Sequence, residues 1–288
     1  MRISNQTDRL ELAVGIEEAV RLNCEAGFEA IDYTMYRADQ EIFGAEKRTH
    51  LRKMKEIVDS YGVVFNQAHS PFPHYLFGEE NREYNKAMHR AVLDSIEIAA
   101  ELGASQIIVH PIEVPGAGEQ EQLEFNLDLF TDFVARGRAL GIRIAIENMW
   151  GRSRDGKNAI VPNVASTGKT LAAYIDAFDD PYVTACLDVG HSGLVGDRAD
   201  LAVRALGHDR LGALHLHDND FRGDLHTLPF LGKIDFDAIA DALREIDYQG
   251  DLTFEADVFY ANMPVDVLPE ALKLTQKIGE YLRHHVTR

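Results

Sequence analysis

Residues 213–226 read ALHLHDNDFRGDLH. Leu214 and Leu216 alternate with His215 and His217, the period-2 pattern of a strand that shows one apolar and one polar face. The polar face then runs off the end of the strand into a loop carrying Asp224 and His226. A parallel barrel satisfies this pattern: the leucines pack outward against helices, the histidines point inward, and the loop sits at the rim where the strands end.

Working outward, seven other segments carry strand character. They lie near 1–6, 30–35 (AIDYTM), 63–69 (VVFNQAH), 106–111 (QIIVHP), 143–148 (RIAIEN), 182–188 (YVTACLD) and 251–256 (DLTFEA), with 211–217 (LGALHLH) supplying the opening stretch. Between them, runs such as GIEEAVRLNCEAG, AMHRAVLDSIEIAAELG and DFDAIADALREID repeat apolar residues at three and four, and several stop at glycine. Strand then helix, repeated over 288 residues without a Pro/Ser-rich linker, predicts a single-domain (β/α)8 TIM barrel covering 1–288. An open doubly wound sheet would be expected to carry a G-x-G-x-x-G turn after its first strand, and none is present. STGKT at 166–170 lacks the upstream glycine of a phosphate loop and reads as a helix start.

Composition narrows the function classes. Against 29 Lys and Arg stand 47 Asp and Glu, and the net charge of −18 disfavours nucleic acid and anionic membrane as partners. MRISNQTDRLEL resembles no signal peptide, and no apolar run approaches membrane-span length, so a soluble cytoplasmic protein with no membrane partner is expected. Cys24 and Cys186 each sit among apolar residues, as reduced core thiols do.

The same period-2 parity sends His69, His110, Glu147, Asp188, His215 and Glu255 inward at or near strand ends. His217 joins them on the interior face, and His191, Asp224 and His226 follow just past strand ends. Unpaired carboxylates at a barrel mouth are costly unless a cation offsets them, so the constellation predicts a metal site.

IENMW with Glu147, CLDVGHSGL with Asp188 and His191, HLHDND with His215, DLH with Asp224 and His226, and GDLTFEAD with Glu255 together resemble the xylose-isomerase-like barrels. That family holds sugar isomerases and epimerases as well as type 2 apurinic-site endonucleases. In the epimerase branch the resemblance implies one divalent ion on Glu147, Asp188, His215 and Glu255. Such an oxygen-rich shell suits Mn2+ first, with Mg2+ and Co2+ as alternatives. Glu147 and Glu255 would then be the acid/base pair that moves a proton next to a chelated carbonyl, through an enediolate of a sugar or sugar phosphate.

In the endonuclease branch the resemblance implies three Zn2+ ions on His69, His110, Glu147, Asp188, His191, His215, Asp224, His226 and Glu255, and a phosphoesterase reaction on nucleic acid. The acidic charge and the unmatched loop SPFPHYLFGEE after His69 weigh against that branch. TLPFLGKIDF at 227–236 also departs from the Pro-Gly-x-Gly turn common among the sugar enzymes, so the metal shell transfers more readily than the identity of the sugar.

Substrate contacts are expected from the loop MWGRSRDGKN. There Trp150 offers a ring for a sugar face, and Arg152, Arg154 and Lys157 offer charge for an anionic group, against the plainer reading of a solvated loop. Arg222 is the other anion contact expected. Phe72, Tyr75 and Phe77 read equally as a pocket wall or as a homo-oligomer contact.

Overall fold

A computed structural model describes all 288 residues. Eight parallel strands form the barrel: β1 (Ile3–Gln6), β2 (Ala30–Thr34), β3 (Val64–His69), β4 (Gln106–Val109), β5 (Arg143–Glu147), β8 (Val183–Asp188), β9 (Leu211–His215) and β10 (Leu252–Phe254). The remaining strands, β6 (Trp150–Arg152) and β7 (Ile160–Pro162), form a separate antiparallel hairpin. Neighbours in the barrel follow chain order from β10 and β1 round to β9. The ring closes where Leu216 N–H donates to the Thr253 carbonyl at 2.8 Å and Glu255 N–H donates to the Leu216 carbonyl at 3.2 Å. The expected eight-stranded, single-domain barrel is the fold found.

Side-chain parity follows from this closure. Ile144, Ile146, Leu214, Leu216, Leu252 and Phe254 belong to the large core between barrel and helices. Ile108, Ala145, Cys186 and Ala213 form a separate buried cluster in the barrel interior, where mostly small side chains fit the narrow space. Thr253 joins a buried polar layer, accepting from Asn66 and donating to Gln67.

Helices end where the sequence provides a left-handed residue: Gly27, Gly62, Gly103 and Gly141 close Ile16–Ala26, Lys47–Tyr61, Arg82–Leu102 and Thr131–Leu140. Thr167 accepts from Thr170 N–H and caps Gly168–Phe178, so STGKT is a helix start. The β6–β7 hairpin has no counterpart among the expected strands, because its ladder is only three residue pairs long and lies in a stretch rich in charge and glycine. No helix is long and apolar enough to cross a membrane.

Candidate metal centre and active site

The C-terminal ends of β5, β8, β9 and β10 bring Glu147, Asp188, His215 and Glu255 together, all buried, with one donor atom of each within 4.8 Å of the others. His215 Nδ1 lies 3.4 Å from Glu147 Oε2, 3.9 Å from Asp188 Oδ2 and 3.1 Å from Glu255 Oε2. Donors about 2.1 Å from a shared ion stand roughly 3.0–3.4 Å apart in octahedral or tetrahedral geometry, so this spacing is close to that of a coordination shell. Three of these atoms, Glu147 Oε2, His215 Nδ1 and Glu255 Oε2, are buried with no hydrogen-bond partner. Buried polar atoms are seldom left so, and a divalent ion would satisfy all three. The residues present therefore fit a metal.

Electrostatics agree. Burial would raise the carboxyl of Glu147, but His215 and His110 hold it well below the usual carboxylate range. Glu255 is likewise held low, with His215 outweighing burial. Burial would lower His215, yet Glu255 and Glu147 are among the groups that raise it well above an ordinary imidazole. The carboxylates thus favour a positive charge at their centre. Burial pushes the Cys186 thiol, also close by, up to about 12.

A second polar group adjoins the first. His217 Nε2 sits 2.9 Å from both oxygens of Asp188, whose Oδ1 also accepts from the His191 backbone N–H at 2.7 Å. His191 Nδ1 donates to the Asn148 carbonyl at 2.9 Å, and His226 Nδ1 donates to the Glu255 carbonyl at 2.8 Å. Since a carbonyl only accepts, the Nε2 atoms of both rings are left facing Asp224 Oδ2, at 3.4 Å and 3.2 Å. Those contacts attract only when the rings are protonated or a cation intervenes. Burial lowers His226, but Asp224 and Glu255 overcome it and lift the ring to about 10.

Two further groups that could hold an ion adjoin these: Asp32 Oδ1 accepts from His69 Nδ1 at 3.0 Å near His215, and His110 Nε2 lies 3.1 Å from Glu147 Oε2 near His69. A cavity of about 290 Å³ opens over the site, lined among others by Tyr36, Phe72, His110, Glu147, His191 and Glu255. Phe72 packs on the His110 ring at 4.6 Å, while Tyr75 and Phe77 pack with Phe125. A roomier cleft of about 570 Å³, between Leu194, Phe221 and Ile239, contains none of the four central groups.

The loop residues expected to touch substrate are placed elsewhere. Trp150, Arg152 and Arg222 do not line the cavity. The Trp150 indole N–H donates to Asp224 Oδ2 at 3.1 Å, and the Arg152 guanidinium lies 5.1 Å from the Trp150 ring centroid. Arg154 pairs with Glu113 and Lys157 with Asp155, and Arg222 is exposed. Sequence reasoning missed Arg9, the one Arg or Lys in the cavity lining, and Tyr36, two residues past the end of β2. Neither lies on a strand, so alternation offered no signal for them.

MJ1311, an uncharacterised protein of Methanocaldococcus jannaschii, is 26% identical over 242 residues, 80% of this chain and 78% of that protein. Ketose 3-epimerase of Arthrobacter globiformis is 22% identical over 260 residues, covering 85% of this chain and 78% of the enzyme. The crystal structure of the IolI protein with a bound zinc atom superposes with a TM-score of 0.76 at 16% identity, over 98% of each chain. The family described as Xylose isomerase-like TIM barrel matches residues 20–278, which spans all four central groups and nearly the whole barrel. This chain belongs to the xylose isomerase-like TIM barrel family.

Proposed function

We propose that the chain is a divalent-metal-dependent sugar epimerase or isomerase, with Glu147 and Glu255 as its acid/base pair. The observation that carries this reading is the convergence of Glu147 and Glu255, from strands three apart round the barrel, on one point shared with Asp188 and His215. A bound divalent ion supplies Lewis acidity, which acidifies the C–H beside a carbonyl. Glu147 and Glu255 then exchange a proton at that carbon from separate sides, one taking it and the other returning it, which inverts the centre. Asp188 is held by His217 and the His191 backbone N–H, and with His215 it would hold the ion.

Three carboxylates and one imidazole favour Mn2+, with Mg2+ or Co2+ as substitutes. The likeness to ketose 3-epimerase of Arthrobacter globiformis supports a ketose substrate. An uncharged ketose is favoured over a sugar phosphate, because Arg9 stands 3.8 Å from both Asp8 and Asp257 and no other Arg or Lys lines the cavity.

A second reading, a multinuclear phosphoesterase, draws on the group His191, His217, Asp224 and His226, whose donor atoms also lie within 4.8 Å of one another. Metal analysis of the protein purified without chelator, followed by a ketose panel in D2O, separates the two. One Mn2+-like ion per chain and solvent deuterium entering a ketose C–H supports the epimerase. Two or three Zn2+ ions with cleavage of abasic DNA and no ketose exchange overturns it.

A further inference from the structure

We propose that Tyr36 is a positioning residue that fixes which oxygen of Glu255 is presented to a divalent ion. This rests on the metal-dependent reading above. The Tyr36 hydroxyl donates to Glu255 Oε1, and that is the one hydrogen bond the Glu255 carboxylate makes. The other oxygen, Oε2, is turned to within 3.1 Å of His215 Nδ1 and has no hydrogen-bond partner. The two oxygens of one carboxylate are thereby given different tasks. Oε1 is occupied by a phenol, and Oε2 is left to the metal centre.

Tyr36 is itself held on several sides. Its carbonyl accepts from Phe72 N–H at 3.1 Å, and the preceding Met35 N–H donates to the His69 carbonyl at 3.1 Å, so the backbone is pinned to the loop after β3. The His69 ring meets the Tyr36 ring at a centroid distance of 5.0 Å and an interplanar angle of 65°, and the His110 ring lies 6.2 Å away. His69 Nε2 stands 3.9 Å from Glu255 Oε1, beyond hydrogen-bond reach, and cannot replace the hydroxyl. A free carboxylate turns readily about its terminal torsion, whereas one tethered through a single oxygen has lost that freedom.

Tyr36→Phe keeps the ring and its packing and removes only the tether. Metal-stripped protein is titrated with Co2+, reading both the dissociation constant and the visible d–d band, with Tyr33→Phe as the comparison. Tyr33 is a buried tyrosine of β2 whose hydroxyl has no partner and which does not line the cavity. Tyr36→Phe is expected to bind Co2+ about tenfold more weakly, with an altered band. Tyr33→Phe is expected to match wild type in both. Wild-type affinity and band in Tyr36→Phe, or an equal loss in Tyr33→Phe, overturns the role of Tyr36 while leaving the metal reading intact. A wild-type chain that takes up no Co2+ and no Mn2+ overturns the metal reading and this inference with it.

Discussion

His226 gives its Nδ1 proton to the carbonyl oxygen of Glu255 at 2.8 Å, which ties the loop after β9 to the end of β10. It also decides what the other nitrogen does, turning Nε2 onto Asp224 Oδ2 at 3.2 Å. The side chain of Asp224 receives Trp150 as well, so one carboxylate joins the hairpin, the β9 loop and, through His226, the end of β10.

Asp224→Asn should therefore lower the titration of His226 in metal-stripped protein. Burial favours the neutral ring, and the hydrogen bond to Asp224 is the largest effect that lifts it to about 10. Because the folded value lies above the ordinary 6.5, the stabilisation is complete below 6.5 and is lost as pH rises towards 10. Histidine C–H resonances followed by NMR should show a drop of at least about one unit, or about 1.4 kcal/mol of lost interaction. An unmoved resonance would locate the cause in Glu255 instead.

Glu255→Gln removes a proton carrier while keeping a side chain of the same length. Turnover on a responsive ketose is expected to fall by roughly 10²–10⁴, with part of the ion uptake retained through Glu147, Asp188 and His215. Deuterium exchange at the substrate carbon, followed by mass spectrometry, is the direct readout. Wild-type exchange in this variant would exclude Glu255 as acid or base.

The extent to which this architecture is legible in sequence depends on periodicity. ALHLH and RIAIEN carry strict alternation, and the structure sorts Leu214 and Leu216, and Ile144 and Ile146, into the outer core, with Ala145 and Ala213 in the interior. Parity also brings His69, His110, Glu147, Asp188, His215 and Glu255 to one end of the barrel. Loop side chains have no such rule. Trp150 and Arg152 are directed by a three-pair ladder, Tyr36 by backbone bonds to the loop after β3, and Arg9 by the first turn of a helix. None of these follows the period-2 rule, and Tyr36 depends besides on a contact with a segment distant in the chain, which spacing alone does not encode.

Glu11, on the helix after β1, supplies a pH test remote from the four-group centre. Burial raises its carboxyl to about 7 despite a 2.9 Å hydrogen bond from Gln40, and its Oε2 is buried without a partner. A raised acid stabilises the fold fully below the unfolded value of 4.5 and loses that contribution as pH climbs through 7. Glu11→Gln should remove this slope. Relative to wild type, the variant should gain about 3 kcal/mol between pH 4.5 and pH 8 in urea denaturation. A constant difference across that range would mean Glu11 is ionised throughout.

Gly190 follows Asp188 by two residues in the short helix Val189–Leu194, and its hydrogen faces the ring of His217. A Cβ built there would stand 2.0 Å from His217 Cε1 and 2.5 Å from its Nε2, distances at which something must shift. His217 has little room to retreat, being fully buried, bonded to Asp188 and stacked on His226 at 3.9 Å. Gly190→Ala should therefore displace His217 from Asp188, costing about 1–3 kcal/mol from overpacking and weakening Co2+ binding by roughly tenfold through the freed carboxylate. Gly193→Ala provides the contrast. Its Cβ would meet the Phe221 ring at 2.8 Å, but that ring is 44% exposed and free to swing away. Denaturation and Co2+ titration of both variants check the argument. Equal losses at the two positions would trace the defect to the short helix itself rather than to the contact between His217 and Asp188.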